Sequence, residues 1–304
     1  MSVPPAVSIV LATRNQARWL PETLASVQAQ TVTDWELLLV NDGSTDATAE
    51  IAARAAADPR VRYLPGPHRE RAVARNRGIA AAAAAVVAFL DGDDLWEPSK
   101  LERQLTTFGE QPDAALCYTI ARYVDADGRP LPTRRPPAPL AGGIFPALVR
   151  ANRLILSSVV ARRTALVETG GFDETLPALG CEDWDLWLRI ARRHPVAVVP
   201  EELTRYRVHP ENTPAARVLE SGMAVLAKLY RDPDTARVAG LQLGAARARL
   251  QWYHASVARA QGRGPALALA ARAFAAAPAS VLSRPALGAL ARIALPRRPR
   301  ALLA

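Results

Sequence analysis

Three carboxylates, Asp91, Asp93 and Asp94, stand within four residues of one another. They directly follow an apolar run at 86–90, whose composition predicts a fully buried strand. Ligands of open α/β sheets bind at the carboxyl ends of such strands. Crowded negative charge is costly there unless a cation offsets it, and a divalent cation held by oxygen ligands does so. The alternative is a solvated acidic turn before a helix predicted over 98–108.

A second acidic pair, Glu182 and Asp183, begins another segment that could carry chemistry. Trp184 and Trp187 begin an apolar series at helical spacing, which puts both acids in the first turn of a predicted helix. A carboxylate on a rigid element suits general-base catalysis. The helix dipole also favours acids in a first turn, so a purely structural role is the alternative. His209 comes after a short apolar run at 196–199 and, taken alone, would more often be an ordinary surface or packing histidine.

The elements that must position these residues alternate between strands and helices. A buried-strand pattern at 7–12 ends in 13–15, and Pro21 can open the helix that follows. A further strand at 36–40 leads into a tight turn that contains Asp42. Strand, helix, strand and helix at this spacing predict βαβ units and a largely parallel sheet. Asp42 then lies at a strand's carboxyl end, although a simple turn residue is the alternative.

Taken in order, the motifs of this chain resemble those of the family 2 glycosyltransferases, inverting enzymes of the GT-A fold. The resemblance covers about residues 6–212, and the segments that carry it are 7–15, 41–46, 90–94, 182–183 and 206–209. It implies an α/β fold of the nucleotide-diphospho-sugar transferase type, with a Rossmann-like, mostly parallel sheet flanked by helices. In this chain an α-helical C-terminal extension follows.

The resemblance also implies a role for each candidate site residue. Asp42 is implied to read the nucleotide base, Asp183 to be the catalytic base, and Glu182 to be its neighbour. The residues implied to bind the donor are Thr13, Arg14, Asn15, Asp42, Arg75, Asp91 and Gly92. Arg75 is expected to contact a phosphate or the base. The ligands implied for a divalent metal, Mn²⁺ or Mg²⁺, are Asp91, Asp93 and His209.

The implied reaction is a single displacement with inversion. A sugar moves from a nucleoside diphosphate sugar, with a UDP-sugar as first choice, to a glycan or lipid-linked acceptor in cell-surface polysaccharide or glycolipid synthesis. The alternatives are a sugar nucleotidyltransferase and an inactive nucleotide-sugar binding module. The chain has no Gly-x-Ser-x-Gly, no Gly-x-x-x-x-Gly-Lys and no Gly-x-Gly-x-x-Gly after the first strand. These absences argue against a serine hydrolase, an ATPase and a dinucleotide enzyme.

Composition limits the class of protein further. The 304 residues are 50% hydrophobic, which is enough for a large buried core. Two cysteines on separate segments, Cys117 and Cys181, predict a reduced, cytoplasmic protein without a disulfide framework. The first residues lack the pattern of a signal peptide, and no uncharged apolar run reaches about 18 residues. We therefore expect a soluble protein, or one peripheral to the inner face of the membrane.

The basic charge is concentrated in the last quarter of the chain. Residues 231–304 contain twelve arginines and two acids, against a net formal charge of +9 for the whole chain. We predict a catalytic domain at 1–230 and a basic extension of three or four short helices at 231–304. Residues 235–304 suit contact with an anionic membrane, or else the helices only pack on the catalytic domain. Nucleic acid is not an expected partner, because few aromatic residues interleave with the arginines. The proline-rich segment 132–139 is expected to lie on the acceptor side.

Overall fold

The computed structural model forms two compact units. The described residues are 3–131, 136–176, 180–258 and 263–294. The first unit comprises residues 1–148, 152–178 and 182–212, and the second comprises 149–151, 179–181 and 213–304. The division at 212 precedes the predicted domain boundary at 230, because the helix that begins at Ala215 belongs to the second unit.

One eight-stranded sheet forms the centre of the first unit. Its strands are β1 (Val7–Thr13), β2 (Trp35–Asp42), β3 (Val61–Gly66), β4 (Val86–Asp91), β5 (Leu95–Trp96), β6 (Leu116–Val124), β7 (Val159–Arg162) and β8 (Val196–Arg207). The spatial order is β3-β2-β1-β4-β7-β6-β8-β5. The pairs β1–β2, β2–β3, β1–β4 and β6–β8 are parallel, whereas β7 and β5 pair antiparallel with their neighbours. The predicted mostly parallel α/β sheet is confirmed.

Before residue 192, the described residues form seven α-helices. They are α1 (Leu20–Gln28), α2 (Thr48–Ala55), α3 (Arg71–Ala81), α4 (Lys100–Glu110), α5 (Phe145–Arg150), α6 (Arg163–Glu168) and α7 (Glu182–Ala191). Pro21 occupies the first turn of α1, as predicted, since its missing N–H has no partner to lose there. The N–H of Thr48 at the start of α2 donates to Asp46 Oδ1 at 3.0 Å. The sequence patterns therefore located these helix starts to within about two residues.

Two antiparallel pairings bring distant segments to the end of β4. Because β7 runs against β4 with Ala88 opposite Val160, the residues just before β7 lie beside the carboxyl end of β4. Those residues form a short 3₁₀ helix, Leu156–Ser158. On the far side of the sheet, β5 pairs with the last residues of β8, with Leu95 opposite Arg205. The residues after β8 therefore return to the segment that follows β4.

The second unit is helical within its described residues. Its helices are α8 (Ala215–Leu229), α9 (Thr235–Ala239), α10 (Leu243–Ala258), α11 (Arg263–Ala276) and α12 (Arg284–Ala294), with a 3₁₀ turn at Pro278–Leu282. Four of these helices follow Asp234, in agreement with the predicted three or four. Their shared core is formed by Ala248, Trp252, Ala255, Ala266, Ala270, Ala273, Ala286, Ala289 and Ile293. Alanine at these contacts lets the helices approach closely.

Some predicted features lie outside the described residues. They are positions 132–135 of the proline-rich segment and positions 259–262 and 295–304 of the predicted basic extension. Among the helices that the structure describes, none combines the length and the apolar character needed to cross a membrane.

Candidate active site

The acidic cluster lies at the carboxyl end of β4, as predicted. One oxygen from each of Asp91, Asp93 and Asp94 lies within 4.8 Å of the others. Asp94 is buried and accepts hydrogen bonds from Ser157 Oγ at 2.6 Å and from the Arg207 N–H at 2.9 Å. Burial, followed by the negative charges of Asp93 and Asp91, raises the pKa of Asp94 well above its ordinary value. The site therefore holds three carboxyl groups close together, where burial and mutual repulsion disfavour negative charge.

His209 lies beside this cluster, although 116 residues separate it from Asp93. Its Nε2 lies 3.0 Å from Asp93 Oδ2, and its ring centroid lies 3.9 Å from that of Trp19. Its backbone N–H donates to Asn212 Oδ1 at 2.6 Å. Arg207 Nε donates to the Asp93 carbonyl oxygen at 2.8 Å, which ties the end of β8 to the acidic turn. The pairing of β5 with β8 thus assembles two of the three predicted metal ligands.

The donor set fits a divalent cation. Both oxygens of Asp94 already accept hydrogen bonds, so the side chains suited to ligation are Asp91, Asp93 and His209. Carboxylate oxygens with one imidazole nitrogen are ligands that Mg²⁺ or Mn²⁺ accepts. A cation there would offset the cost of burial and the charge repulsion that together raise the pKa of Asp94.

Arg75, on α3, joins the acidic cluster to the helix of the candidate base. Its Nη2 donates to Asp91 Oδ1 at 2.7 Å, and its Nη1 donates to Glu182 Oε1 at 2.5 Å. The side chain is buried, and its guanidinium carbon lies 5.5 Å from the centroid of the Phe172 ring. The two carboxylates hold the pKa of Arg75 above its ordinary value against the opposing effect of burial. The structure thus places Arg75 between the two predicted functional regions, where it neutralises one carboxylate of each.

The two acids at the start of α7 have different environments. Burial alone would raise the pKa of Glu182, but the positive charges of Arg75 and Arg71 hold it below its ordinary value. For Asp183, burial and then the negative charge of Glu182 raise the pKa to about 7. Asn152 Nδ2 donates to Asp183 Oδ1 at 3.3 Å. Glu182 is therefore an ionised partner of Arg75, while Asp183 exchanges its proton near neutral pH.

Asp42 lies at the end of β2 and is buried. Its Oδ1 accepts the N–H of Arg69 at 2.7 Å, and its Oδ2 lies 2.8 Å from His68 Nδ1. Gly43, with φ of +68°, allows this approach, because a Cβ there would lie 2.4 Å from the His68 backbone nitrogen. Residues 68–69 thus contact both oxygens of Asp42, the carboxylate that the resemblance assigns to the nucleotide base.

The predicted residues at the end of β1 have separate roles in the structure. Thr13 is buried and donates from Oγ1 to Gln16 Oε1 at 2.9 Å, while Arg14 is exposed. Asn15 has a φ of +53°, and its Oδ1 accepts the N–H of Thr45 at 2.8 Å, which links this end of β1 to the turn after β2. At Gly92, a Cβ would lie 2.7 Å from Thr13 Oγ1, so a glycine lets the turn after β4 pack against the end of β1.

Sequence reasoning missed four side chains that position this site. They are His68, Asn152, Ser157 and Arg207, each bonded to a predicted residue through a contact described above. Arg207 left a signal, because it lies within the segment 206–209 that carries the resemblance. His68, Asn152 and Ser157 left none, since a single histidine, asparagine or serine in a loop is unremarkable.

Comparison of sequences identifies the family. Residues 8–162 match the family model described as Glycosyl transferase family 2. An uncharacterized glycosyltransferase of Rickettsia bellii is 30% identical over 207 residues, which are 68% of this chain and 29% of that relative. The chain spans about a third of the length of this and other curated relatives that it matches.

Solved structures share the fold. TarS 1-349 of S. aureus in complex with UDP superposes with a TM-score of 0.63 at 18% identity, over 94% of this chain and 87% of that one. The mannosyltransferase PcManGT from Pyrobaculum calidifontis, in complex with GDP-Man and Mn2+, gives a TM-score of 0.60 at 20% identity, over 96% and 86%. With a GT-A fold, this strand-end acidic cluster and a family match over about half of its length, the chain belongs to glycosyl transferase family 2.

Proposed function

We propose that the first unit catalyses inverting transfer of a sugar from a nucleoside diphosphate sugar to an acceptor hydroxyl. The observation that carries this proposal is the bridge made by Arg75 between Asp91 and Glu182. It fixes the start of the helix that bears Asp183 relative to the acidic strand end. A candidate base and a candidate donor site are thereby held in one rigid arrangement, as a displacement between two bound substrates requires.

In this proposal Asp183 is the general base. It accepts the proton of the acceptor hydroxyl while that oxygen forms a bond to the anomeric carbon. The bond from the anomeric carbon to the diphosphate breaks on the opposite face, which inverts the configuration. A pKa of about 7 supports the assignment, because a base is most effective when its pKa lies near the working pH.

We propose that Asp91, Asp93 and His209 hold a divalent metal, Mn²⁺ or Mg²⁺. When bound, such a cation neutralises negative charge on the leaving diphosphate. The chain's own part is to hold these side chains in place through Arg75, Arg207 and Ser157. Asp93→Ala should abolish transfer and remove the metal dependence of donor binding, whereas His209→Ala should raise the metal concentration needed. Normal turnover by Asp93→Ala in the presence of a chelator would contradict the assignment.

We propose that the donor is bound at the ends of β1, β2 and β4 by Thr13, Arg14, Asn15, Asp42, Arg75, Asp91 and Gly92. The two solved structures of this fold carry UDP or GDP-Man, which supports a nucleotide ligand, and a UDP-sugar is our first choice. Thermal unfolding with UDP-, GDP- and dTDP-sugars, with and without Mn²⁺, tests this. A ligand at 100 times its Kd should stabilise by about 2.7 kcal/mol.

Asp183→Asn tests the reaction itself. The amide keeps the size of the side chain but cannot take a proton, so kcat should fall by about 10²-fold or more with little change in donor affinity. Asp185→Asn, in the same helical turn, is the matched control. It weakens an ion pair with Arg189 and should lower stability while keeping kcat. Full kcat in Asp183→Asn would exclude Asp183 as the base.

We propose that the acceptor is a glycan or a lipid-linked saccharide, and that residues 235–304 bring the chain to an anionic membrane. The charge of this segment supports the proposal, because it contains eleven arginines and no aspartate or glutamate. Removal of residues 235–304 should abolish sedimentation with anionic vesicles. Equal sedimentation of the truncated chain would contradict the membrane contact.

A further inference from the structure

Large exposed hydrophobic side chains are unevenly distributed in the described chain. Among the described residues of the first unit, only Val3 and Val167 are large hydrophobic side chains that are exposed. The others are Val238, Tyr253, Val257, Leu267, Phe274, Leu282, Leu287 and Leu290, all in the second unit. Exposed hydrophobic side chains gathered on one part of a protein commonly mark an interaction site.

Helix α12 is apolar on two sides. Its inner side, Ala286, Ala289 and Ile293, is buried in the alanine-rich core of the second unit. Its outer side carries Leu287, which is 54% exposed, and Leu290, at i and i+3. Leu282, 80% exposed, precedes the helix. Packing among the helices accounts for the inner side and leaves the outer leucines unexplained.

The positive charge around α12 indicates which kind of partner can cover Leu287 and Leu290. Between residues 284 and 304 the chain has five arginines and no acidic residue, and Arg284 and Arg292 are exposed on α12 itself. A second copy of the chain would bring like charges together, which disfavours self-association. An anionic lipid surface attracts the arginines and accepts the leucines at the boundary between headgroups and acyl chains.

We propose that α12 and Leu282 form a lipid-binding surface, in which Leu282, Leu287 and Leu290 enter an anionic bilayer and Arg284 contacts its headgroups. This inference specifies the membrane contact proposed for residues 235–304, and it is independent of the sugar chemistry. Because the three leucines are exposed while Ala286, Ala289 and Ile293 are buried, changes to the leucines should leave the core of the unit in place.

The test is sedimentation of the full chain with vesicles of phosphatidylglycerol and phosphatidylcholine, and with phosphatidylcholine alone. We expect binding only to the anionic vesicles, and weaker binding as salt increases. The triple variant Leu282→Ser, Leu287→Ser, Leu290→Ser should bind at least about tenfold more weakly. Arg284→Gln should reduce binding about fivefold. Circular dichroism verifies that the variants keep their helices.

Matched controls distinguish this surface from the rest of the chain. Val167→Ser removes an exposed hydrophobic side chain of the first unit, and Arg129→Gln removes an exposed arginine there, so neither should change binding.

The double variant Leu267→Ser, Phe274→Ser alters α11 instead of α12. If that pair loses binding and the triple variant does not, the surface lies elsewhere and the inference is wrong, although the membrane contact stands. Absence of any vesicle binding would overturn both. Light scattering gives a further check. If the full chain is a dimer and the triple variant is a monomer, the leucines form a contact between copies, and the lipid-binding surface is wrong.

Discussion

The two units of this protein bury different side chains. In the first unit, leucine, valine, phenylalanine and tryptophan fill the space beside the sheet, and several buried polar groups, including Arg75, Asp94 and Arg207, lie around the end of β4. In the second unit, alanine lines most helix contacts, and many of the leucines are exposed. A sheet covered by helices can enclose many large side chains, whereas helices packed closely through alanine leave less room for them. The first unit thus gathers candidate site residues in its interior, whereas the second unit exposes large hydrophobic side chains.

Loss of Arg75 should have the largest effect on stability. Arg75→Met leaves Asp91 and Glu182 without their shared cation, and removal of one partner from a buried ion pair typically costs about 3–5 kcal/mol. Urea unfolding followed by tryptophan fluorescence measures this, because five of the six tryptophans lie in the first unit. The matched control is Arg237→Met, whose pair with Asp234 is exposed and should contribute nothing measurable. An equal loss in both variants would contradict the contrast between the units.

Enlargement of an alanine should show how closely the second unit is packed. Ala270 lies in the core of that unit, while its neighbour Ala271 is exposed. Ala270→Leu should destabilise by about 1–3 kcal/mol, because extra volume in a close-packed core forces its neighbours to move. Ala271→Leu should have almost no effect. Thermal unfolding by circular dichroism compares the two variants, and tolerance of both would show that the alanine core is loosely packed.

The pH dependence of Asp183 should sharpen its role as a base. Since burial raises its pKa to about 7, kcat/KM should decrease as the pH falls below about 7. A carboxyl with a raised pKa in the folded chain stabilises the fold at low pH and costs stability once ionised, a change that develops between about pH 4 and 7. Asp183→Asn should therefore be more stable than the parent chain at about pH 8 and equally stable at about pH 4. Urea unfolding at both pH values decides this, and a less stable variant at the higher pH would indicate a helix-capping role instead.

The smallest effect is expected on the outer side of α12. Leu287→Ser changes an exposed side chain, so the free energy of unfolding should remain within about 0.5 kcal/mol of its original value. Leu186→Ala in α7 of the first unit, where the leucine is fully buried, should cost about 2–5 kcal/mol. Chemical denaturation of both variants tests the contrast. A loss above about 1 kcal/mol for Leu287→Ser would show that its leucine contributes to the fold.

Several parts of the fold were predictable because their signals are local. Buried runs at 7–12, 36–40 and 86–90 became β1, β2 and β4, and Glu182 begins α7 as its helical periodicity required. By contrast, β3 and the antiparallel β7 were not predicted. Strand β7 is only four residues long, Val159–Arg162, and its apolar pattern is too short to distinguish from a loop.

The sequence by itself determined which residues are candidates for the chemistry and where each stands on its element. Asp91 at a strand end and Asp183 in a first turn follow from hydrophobic periodicity, which depends only on neighbours in the chain. Only the tertiary structure decided their partners, such as Arg75 between Asp91 and Glu182. Arg75 lies 16 residues from Asp91 and 107 residues from Glu182 along the chain. The order and direction of the strands bring the three residues together. The pKa of Asp183 is likewise a tertiary property, because burial and the charge of Glu182 beside it, as α7 packs in the fold, set its value.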